Sequence, residues 1–311
     1  MHFDIEKHTI YEVLTGSRAY GFAREDSDYD YKGIAIPPLD TLYGFAYNFE
    51  QYEQGERTIY DIRKFFNLAK DCNPNVIELL WIPDKCVKTR SVWSDLLREN
   101  RHLFLSTKAR FTFSGYAIAQ LKRIQVHRKW LLNPVEKEPL REDYNLPSVS
   151  SLSTTVRNIL KASTKEEIES MFGFGTSDYL KKELAYMQSR SNWEKYQEWR
   201  TSRNPSRFTL EEKYGYDCKH ATHLVRLMKM CKEILTMGTI IVDRAEAGDA
   251  HLLQAIREGI WSYDYLIKWA EEQEREIEEL YNTCTVLPKY PDVERLNDVC
   301  VSLINNFIGE V

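Results

Sequence analysis

The sequence lacks the features of a membrane or secreted protein. No apolar run approaches the roughly 20 residues a membrane helix needs, and the start, Met1-His2-Phe3-Asp4-Ile5-Glu6, has neither the basic nor the apolar segment of a secretory signal. The expected location is the cytoplasm. Six cysteines (Cys72, Cys86, Cys218, Cys231, Cys284, Cys300) are scattered without a Cys-x-x-Cys pair, which argues against a disulfide framework or zinc ribbon and for free buried thiols. There is no internal repeat and no low-complexity tract. Excess positive charge is also missing: the net charge of −5 is not that of a protein that simply coats nucleic acid.

What is there describes an ordinary globular chain. With 311 residues, 43% hydrophobic and 13% aromatic, it can bury a core of normal size in one large domain or two smaller ones. Locally the charge balance reverses, since the stretch from Lys108 to Val135 holds Lys108, Arg110, Lys122, Arg123, Arg128 and Lys129 and no acid. Such a run is usually a solvated helix face.

The first hundred residues read as α/β. Thr9–Leu14 and Tyr29–Ile36 have strand character, as does a segment ending Arg57-Thr-Ile-Tyr-Asp61, and Pro37-Pro38 closes the second strand. Ile62–Cys72 and Pro74–Ile82 read as helices, the latter with Asn73 as N-cap and Pro74 at the first helical position. Beyond residue 105 strand signals fade, and Gly115–Leu132, Lys219–Leu235, Ala250–Tyr281 and Val293–Phe307 carry apolar residues at helical spacing. The expected organisation is α+β: a small mixed-sheet domain over 1–105 and a mainly helical domain over 106–311.

One stretch carries chemistry. Leu14-Thr15-Gly16-Ser17-Arg18 leads a strand into Gly-Ser and a short helix, which gathers backbone N–H groups and a hydroxyl at one point, as phosphates require. Asp26-Ser27-Asp28-Tyr29-Asp30 follows. Asp28 and Asp30 stand two apart at the start of a strand and point to one face. Adjacent carboxylates repel, and a divalent metal is the natural way to hold both ionised. A third carboxylate on a neighbouring strand would complete a two-metal site; Asp61 is the first candidate and Glu78 the second.

Gly16-Ser17-Arg18-Ala-Tyr-Gly-Phe-Ala-Arg-Glu-Asp-Ser-Asp28-Tyr-Asp30 resembles the signature of the DNA polymerase β nucleotidyltransferase superfamily. It is most similar to the bacterial and phage branch that includes RNA-ligase-associated, RNA-repair members. The resemblance implies a small mixed sheet, with Gly16, Ser17 and Arg18 on the nucleotide and Asp28, Asp30 and Asp61 on two Mg²⁺ or Mn²⁺ ions. It implies transfer of a nucleoside monophosphate from an NTP, ATP first, to an acceptor hydroxyl. An RNA 3′ end, of a tRNA or a cleaved RNA, leads the acceptors; a protein hydroxyl and a small molecule follow, and a nucleotide-binding module without turnover is the rival of another class. The later pattern Asp61-Ile-Arg-Lys-Phe-Phe-Asn…Asn73-Pro…Ile77-Glu-Leu-Leu80 and the stretch Arg203-Asn-Pro-Ser-Arg207…Lys219-His-Ala-Thr-His223-Leu-Val-Arg226 are similar to the same group, whereas about 162–196 matches no pattern.

At roughly 100° per residue Lys219, His223 and Arg226 fall within an arc of about 60°, an anion-binding face. Leu224, Leu227, Cys231 and Leu235 lie on the apolar arc, with His220 inside it as a core histidine. The expectation is that this helix closes over the nucleotide, with Lys219 and Arg226 on the triphosphate and His223 near the pyrophosphate or the sugar. Arg203, Arg207, Lys122 and Arg123 would extend the anion surface.

Overall fold

The computed structural model describes residues 2–25, 27–162, 167, 178–203 and 205–310. Asp26 and most of 163–177 lie outside the described residues, as does the Arg207 side chain. Five strands, β1 (Thr9–Leu14), β2 (Tyr31–Ala35), β3 (Gln51–Gln54), β4 (Arg57–Asp61) and β5 (Val87–Thr89), form one sheet in the order β3-β4-β2-β1-β5. The sheet is mixed: β2 and β4 are parallel, while the β1–β2, β1–β5 and β3–β4 pairs are antiparallel. The expected α+β class and mixed sheet are therefore present.

The helices, in chain order, are α1 (Ile5–His8), α2 (Gly16–Ala19), α3 (Leu39–Tyr43), α4 (Ile62–Ala69), α5 (Pro74–Ile77), α6 (Val92–Glu99) and α7 (Ala109–Leu132). They continue with α8 (Thr154–Ala162), α9 (Asp178–Ser202), α10 (Pro205–Tyr214), α11 (Cys218–Met237), α12 (Ala250–Arg257), α13 (Tyr263–Thr283) and α14 (Val293–Glu310). Local sequence explains many of the boundaries. The Asn73 side chain accepts from the Asn75 N–H and Pro74 fills the first turn of α5, as the sequence indicates. The long pattern at 250–281 is two helices, because Gly259 takes φ +81° and Ser262 caps α13. β3 and β5 escape sequence reading: each is too short for a periodic signal and exists by pairing with a neighbour.

The chain groups into two compact units, one of Met1–Ile124 with Asp217–Val311 and one of Gln125–Tyr216. In the first, Ala35 and Ile59 of the sheet pack with Ile5 and Phe49, and the Tyr11 hydroxyl donates to the Leu79 carbonyl at 3.0 Å. The apolar arc of α11 holds as expected, with Leu224, Leu227, Cys231 and Leu235 all buried. In the second unit Arg141 pairs with the buried Glu183, which also accepts from Ser150 and Tyr179, and Trp130, Tyr196 and Trp199 form an aromatic cluster. All six cysteines are free. Among the described residues no helix is long and apolar enough to cross a membrane.

Candidate active site

The site forms where β1 hands over to α2 and the loop before β2 comes back alongside. The Thr15 N–H donates to the Asp30 carbonyl at 2.8 Å, fastening the two segments. Gly16 takes φ +68°, and a Cβ there would lie 2.6 Å from the Asp30 carboxylate, so only glycine lets that carboxylate approach the backbone. Ser17 is half-buried in the first turn of α2.

Arg18 does not point into this corner. Its guanidinium donates to the carbonyls of Ser27 at 2.7 Å and Asp28 at 3.3 Å, and stacks 3.6 Å over the Tyr29 ring. It braces the loop that carries the aspartates, where the sequence reading set it on the nucleotide.

Asp61, the expected third carboxylate, is not brought next to Asp30. In the parallel β2–β4 pair Tyr31 faces Arg57 and Ala35 faces Asp61. Asp30 therefore lies level with Glu56, while Asp61 is five residues further along, roughly 16 Å at about 3.3 Å per residue. Side chains alternate, so Asp61 also points to the opposite face from Asp30. It is instead the buried N-cap of α4, accepting from the Arg63 N–H at 2.7 Å and pairing with the Arg63 guanidinium at 2.6 Å.

Glu56, which sequence reading missed, stands beside Asp30. The two carboxyls are hydrogen-bonded, and this bond, reinforced by the charges of Asp30 and Asp28, raises the Glu56 pKa above the usual carboxylate range. Carboxylate oxygens suit Mg²⁺ or Mn²⁺, and a cation at Asp30 and Glu56, within the field of Asp28, would offset the repulsion that raises Glu56. Glu56 lies in the turn between β3 and β4, and its only signal in the sequence is an acid just ahead of a strand. Lys32, two residues beyond Asp30, shares the same face; it donates to the Asn75 carbonyl at 3.1 Å, and burial lowers its pKa against the pull of Glu78 and Asp30.

α11 supplies the facing side. Lys219 is exposed, and its positive charge acts on Glu56, so the start of this helix lies within electrostatic range of the carboxylates. Arg226 differs from expectation: it is buried, donating to Glu78 Oε1 at 2.7 Å with its guanidinium 3.9 Å over the Tyr20 ring. Glu78 Oε2 accepts from the Tyr20 hydroxyl at 2.7 Å. Glu78 is thus engaged by two donors, and Arg226 ties α11 to the end of α2. His223 is half-buried beside it, its Nδ1 3.2 Å from Arg226 Nη2. Burial first, then the charges of Arg226, His220, Arg123 and Lys219, push its pKa down to about 3. His220 is half-buried, with Nε2 3.6 Å from Asp217, so it sits at the edge of the core. Arg203 belongs to the other unit, where it pairs with Glu211 and stacks on Trp199.

A mixed sheet with paired acids beside a Gly-Ser turn defines a nucleotidyltransferase-like corner, and comparison with known proteins agrees. Residues 2–135 match the model of RlaP, the RNA repair pathway DNA polymerase beta family, which bears out over that stretch the resemblance carried by Gly16-Ser17 and Asp28-Tyr29-Asp30. The chain is similar to the uncharacterized protein YcgL of Bacillus subtilis, with 34% identity over 76 residues, 23% of this chain and 29% of that protein. It is also similar to an uncharacterized 38.9 kDa protein from the nrdC-mobD intergenic region of Enterobacteria phage T4, with 26% identity over 136 residues, 38% of this chain and 39% of that one. The chain thus spans between a quarter and two fifths of these curated relatives. No solved structure matches.

Proposed function

We propose that the protein transfers a nucleoside monophosphate from an NTP, ATP first, to an acceptor hydroxyl, with release of pyrophosphate. The observation that carries this reading is the pairing of Asp30 with Glu56, within the field of Asp28 and Lys219 and against a glycine that leaves room for the Asp30 carboxylate. The segment 1–105 is the catalytic domain, and the helical part from 106 onward contributes the other wall through α11.

Asp28, Asp30 and Glu56 would hold Mg²⁺ or Mn²⁺, which supplies charge neutralisation for the triphosphate and acidifies the attacking hydroxyl. Gly16 and Ser17 offer a backbone N–H and a hydroxyl to phosphate oxygens in a corner too narrow for a side chain at residue 16. Lys219 and Arg123 place positive charge where the leaving pyrophosphate accumulates negative charge. Arg18 keeps the aspartate loop in place, and Arg226 with Glu78 keeps α11 registered on α2.

An RNA 3′ end is the acceptor that the RNA-repair family favours. The test is incubation of the protein with Mg²⁺ and each α-labelled NTP in cell lysate, beside an Asp28→Ala/Asp30→Ala control. Aspartate-dependent label lost to ribonuclease supports the reading. Label lost to protease moves the acceptor to protein, and no aspartate-dependent label with any NTP overturns macromolecular transfer.

A further inference from the structure

The nucleotidyltransferase reading leaves open what His223 does, and the hydrogen bonds around it answer more narrowly than its position on the helix does. A guanidinium has only donors to offer. The imidazole Nδ1 that lies 3.2 Å from Arg226 Nη2 must therefore be the acceptor, which leaves the ring proton on Nε2. Arg226 cannot turn away to admit a second proton, because its other arm is held by the buried Glu78 at 2.7 Å and its plane rests on Tyr20. Protonating Nδ1 would set two donors against each other in a buried place. The charged groups that act most strongly on the ring add to this: Arg226, His220 and Lys219 on α11 and Arg123 on α7 all disfavour a second positive charge. Among the described residues no hydrogen bond reaches Nε2, so its proton is available.

We propose that His223 is an uncharged, donor-only hydrogen-bond group of the nucleotide site, offering its Nε2–H to a polyphosphate oxygen of the bound NTP while Arg226 fixes its tautomer. The proposal rests on the nucleotidyltransferase reading. The ligand class follows from the surroundings: His223 stands about one turn from Lys219 on the same face, and the charge of Lys219 in turn acts on the carboxylates. A ligand that joins a cation at Asp28, Asp30 and Glu56 to this basic face is an anion rich in acceptor oxygens. His223 is then a positioning donor and not a proton source, because the imidazolium needed to protonate the leaving pyrophosphate does not form. Lys219 and Arg123 carry the charge; His223 carries direction.

The test uses the full chain and ATP with Ca²⁺ in place of Mg²⁺, so that binding is read without turnover. Titration calorimetry compares wild type, His223→Gln, whose amide nitrogen takes the Nε2 place, and His223→Leu, which fills the same volume without a donor. We expect ATP affinity within about threefold of wild type for His223→Gln and roughly tenfold weaker for His223→Leu, with thermal melts confirming that both fold. Long-range ¹⁵N–¹H spectra should show the Nε2–H pattern for His223 from about pH 8 to about pH 5.5, with and without ATP. An imidazolium or Nδ1–H pattern in that range overturns the proposal, as does equal ATP affinity in wild type and His223→Leu. If wild type binds no NTP at all, the nucleotidyltransferase reading itself fails and this proposal falls with it.

Discussion

Arg226 and Glu78, 148 residues apart, meet at 2.7 Å where neither side chain reaches water, at 1% and 4% exposure. The pair joins the helix that bears Lys219 and His223 to the segment between β4 and β5, and the Tyr20 hydroxyl on Glu78 brings in the end of α2. Removing one member leaves the other charged and buried. Glu78→Leu or Arg226→Met should each cost about 3–5 kcal/mol of stability, whereas the double variant Glu78→Gln/Arg226→Met, which keeps an acceptor for Tyr20, should regain most of it. Urea denaturation of the three variants decides the matter; single changes worth under about 1 kcal/mol would mean the pair does not hold the two regions together.

Glu56 and Asp61 should separate cleanly in their effects. Glu56 is exposed and paired with Asp30, so Glu56→Gln should lower nucleotidyl transfer by about a hundredfold or more with the melting temperature unchanged. Asp61 caps α4 from a buried position, so Asp61→Asn should lose about 1–3 kcal/mol of stability and leave the folded enzyme active. The reverse pattern would return Asp61 to the site.

A methyl group at residue 16 tests the corner itself. Gly16→Ala must place Cβ 2.6 Å from Asp30 Oδ2 at φ +68°, so the carboxylate has to move. The expected outcome is about 1–3 kcal/mol of destabilisation with loss of Mg²⁺-dependent transfer. An active Gly16→Ala would show that the close approach to Asp30 is not needed.

Acid should unfold the protein partly through His223. Its pKa is pushed down to about 3 in the folded chain, below the ordinary value of 6.5, so the unfolded chain binds the proton first as pH falls. The contribution is whole above about pH 6.5 and is lost on the way down toward pH 3, at up to about 1.4 kcal/mol per pH unit. Stability of wild type should therefore fall more steeply than that of His223→Gln across this window, read as urea midpoints at successive pH values. Parallel curves would mean that the ring is not held neutral.

Much of the first half was legible because its signals are local. The alternation of Thr9–Leu14, the Asn73-Pro74 helix start and the Gly-Ser turn each act within a few residues, and each stands where the sequence indicates. The Asp28 and Asp30 pair was readable for the same reason, two residues apart on one strand approach. Glu56 was not: the acid that meets Asp30 is decided by hydrogen bonding between β2 and β4, and shifting that register by one residue exchanges the faces. Asp61 looked the better candidate because it sits inside the matching pattern, yet it serves as a helix cap.

The second half shows the same division. Helical period by itself determined that Lys219, His223 and Arg226 share a face and that Leu224, Leu227, Cys231 and Leu235 share another, since 3.6 residues per turn is a property of the local backbone. Which parts of the polar face meet water and which meet Glu78 and Tyr20 was settled only by packing. A guanidinium can be a phosphate ligand or a buried strut, and nothing in residues 218–237 alone distinguishes them. The partner that decides it lies 148 residues away in the chain, and burial, which turns a nearby carboxylate into a strong partner, exists only once the chain has closed around both.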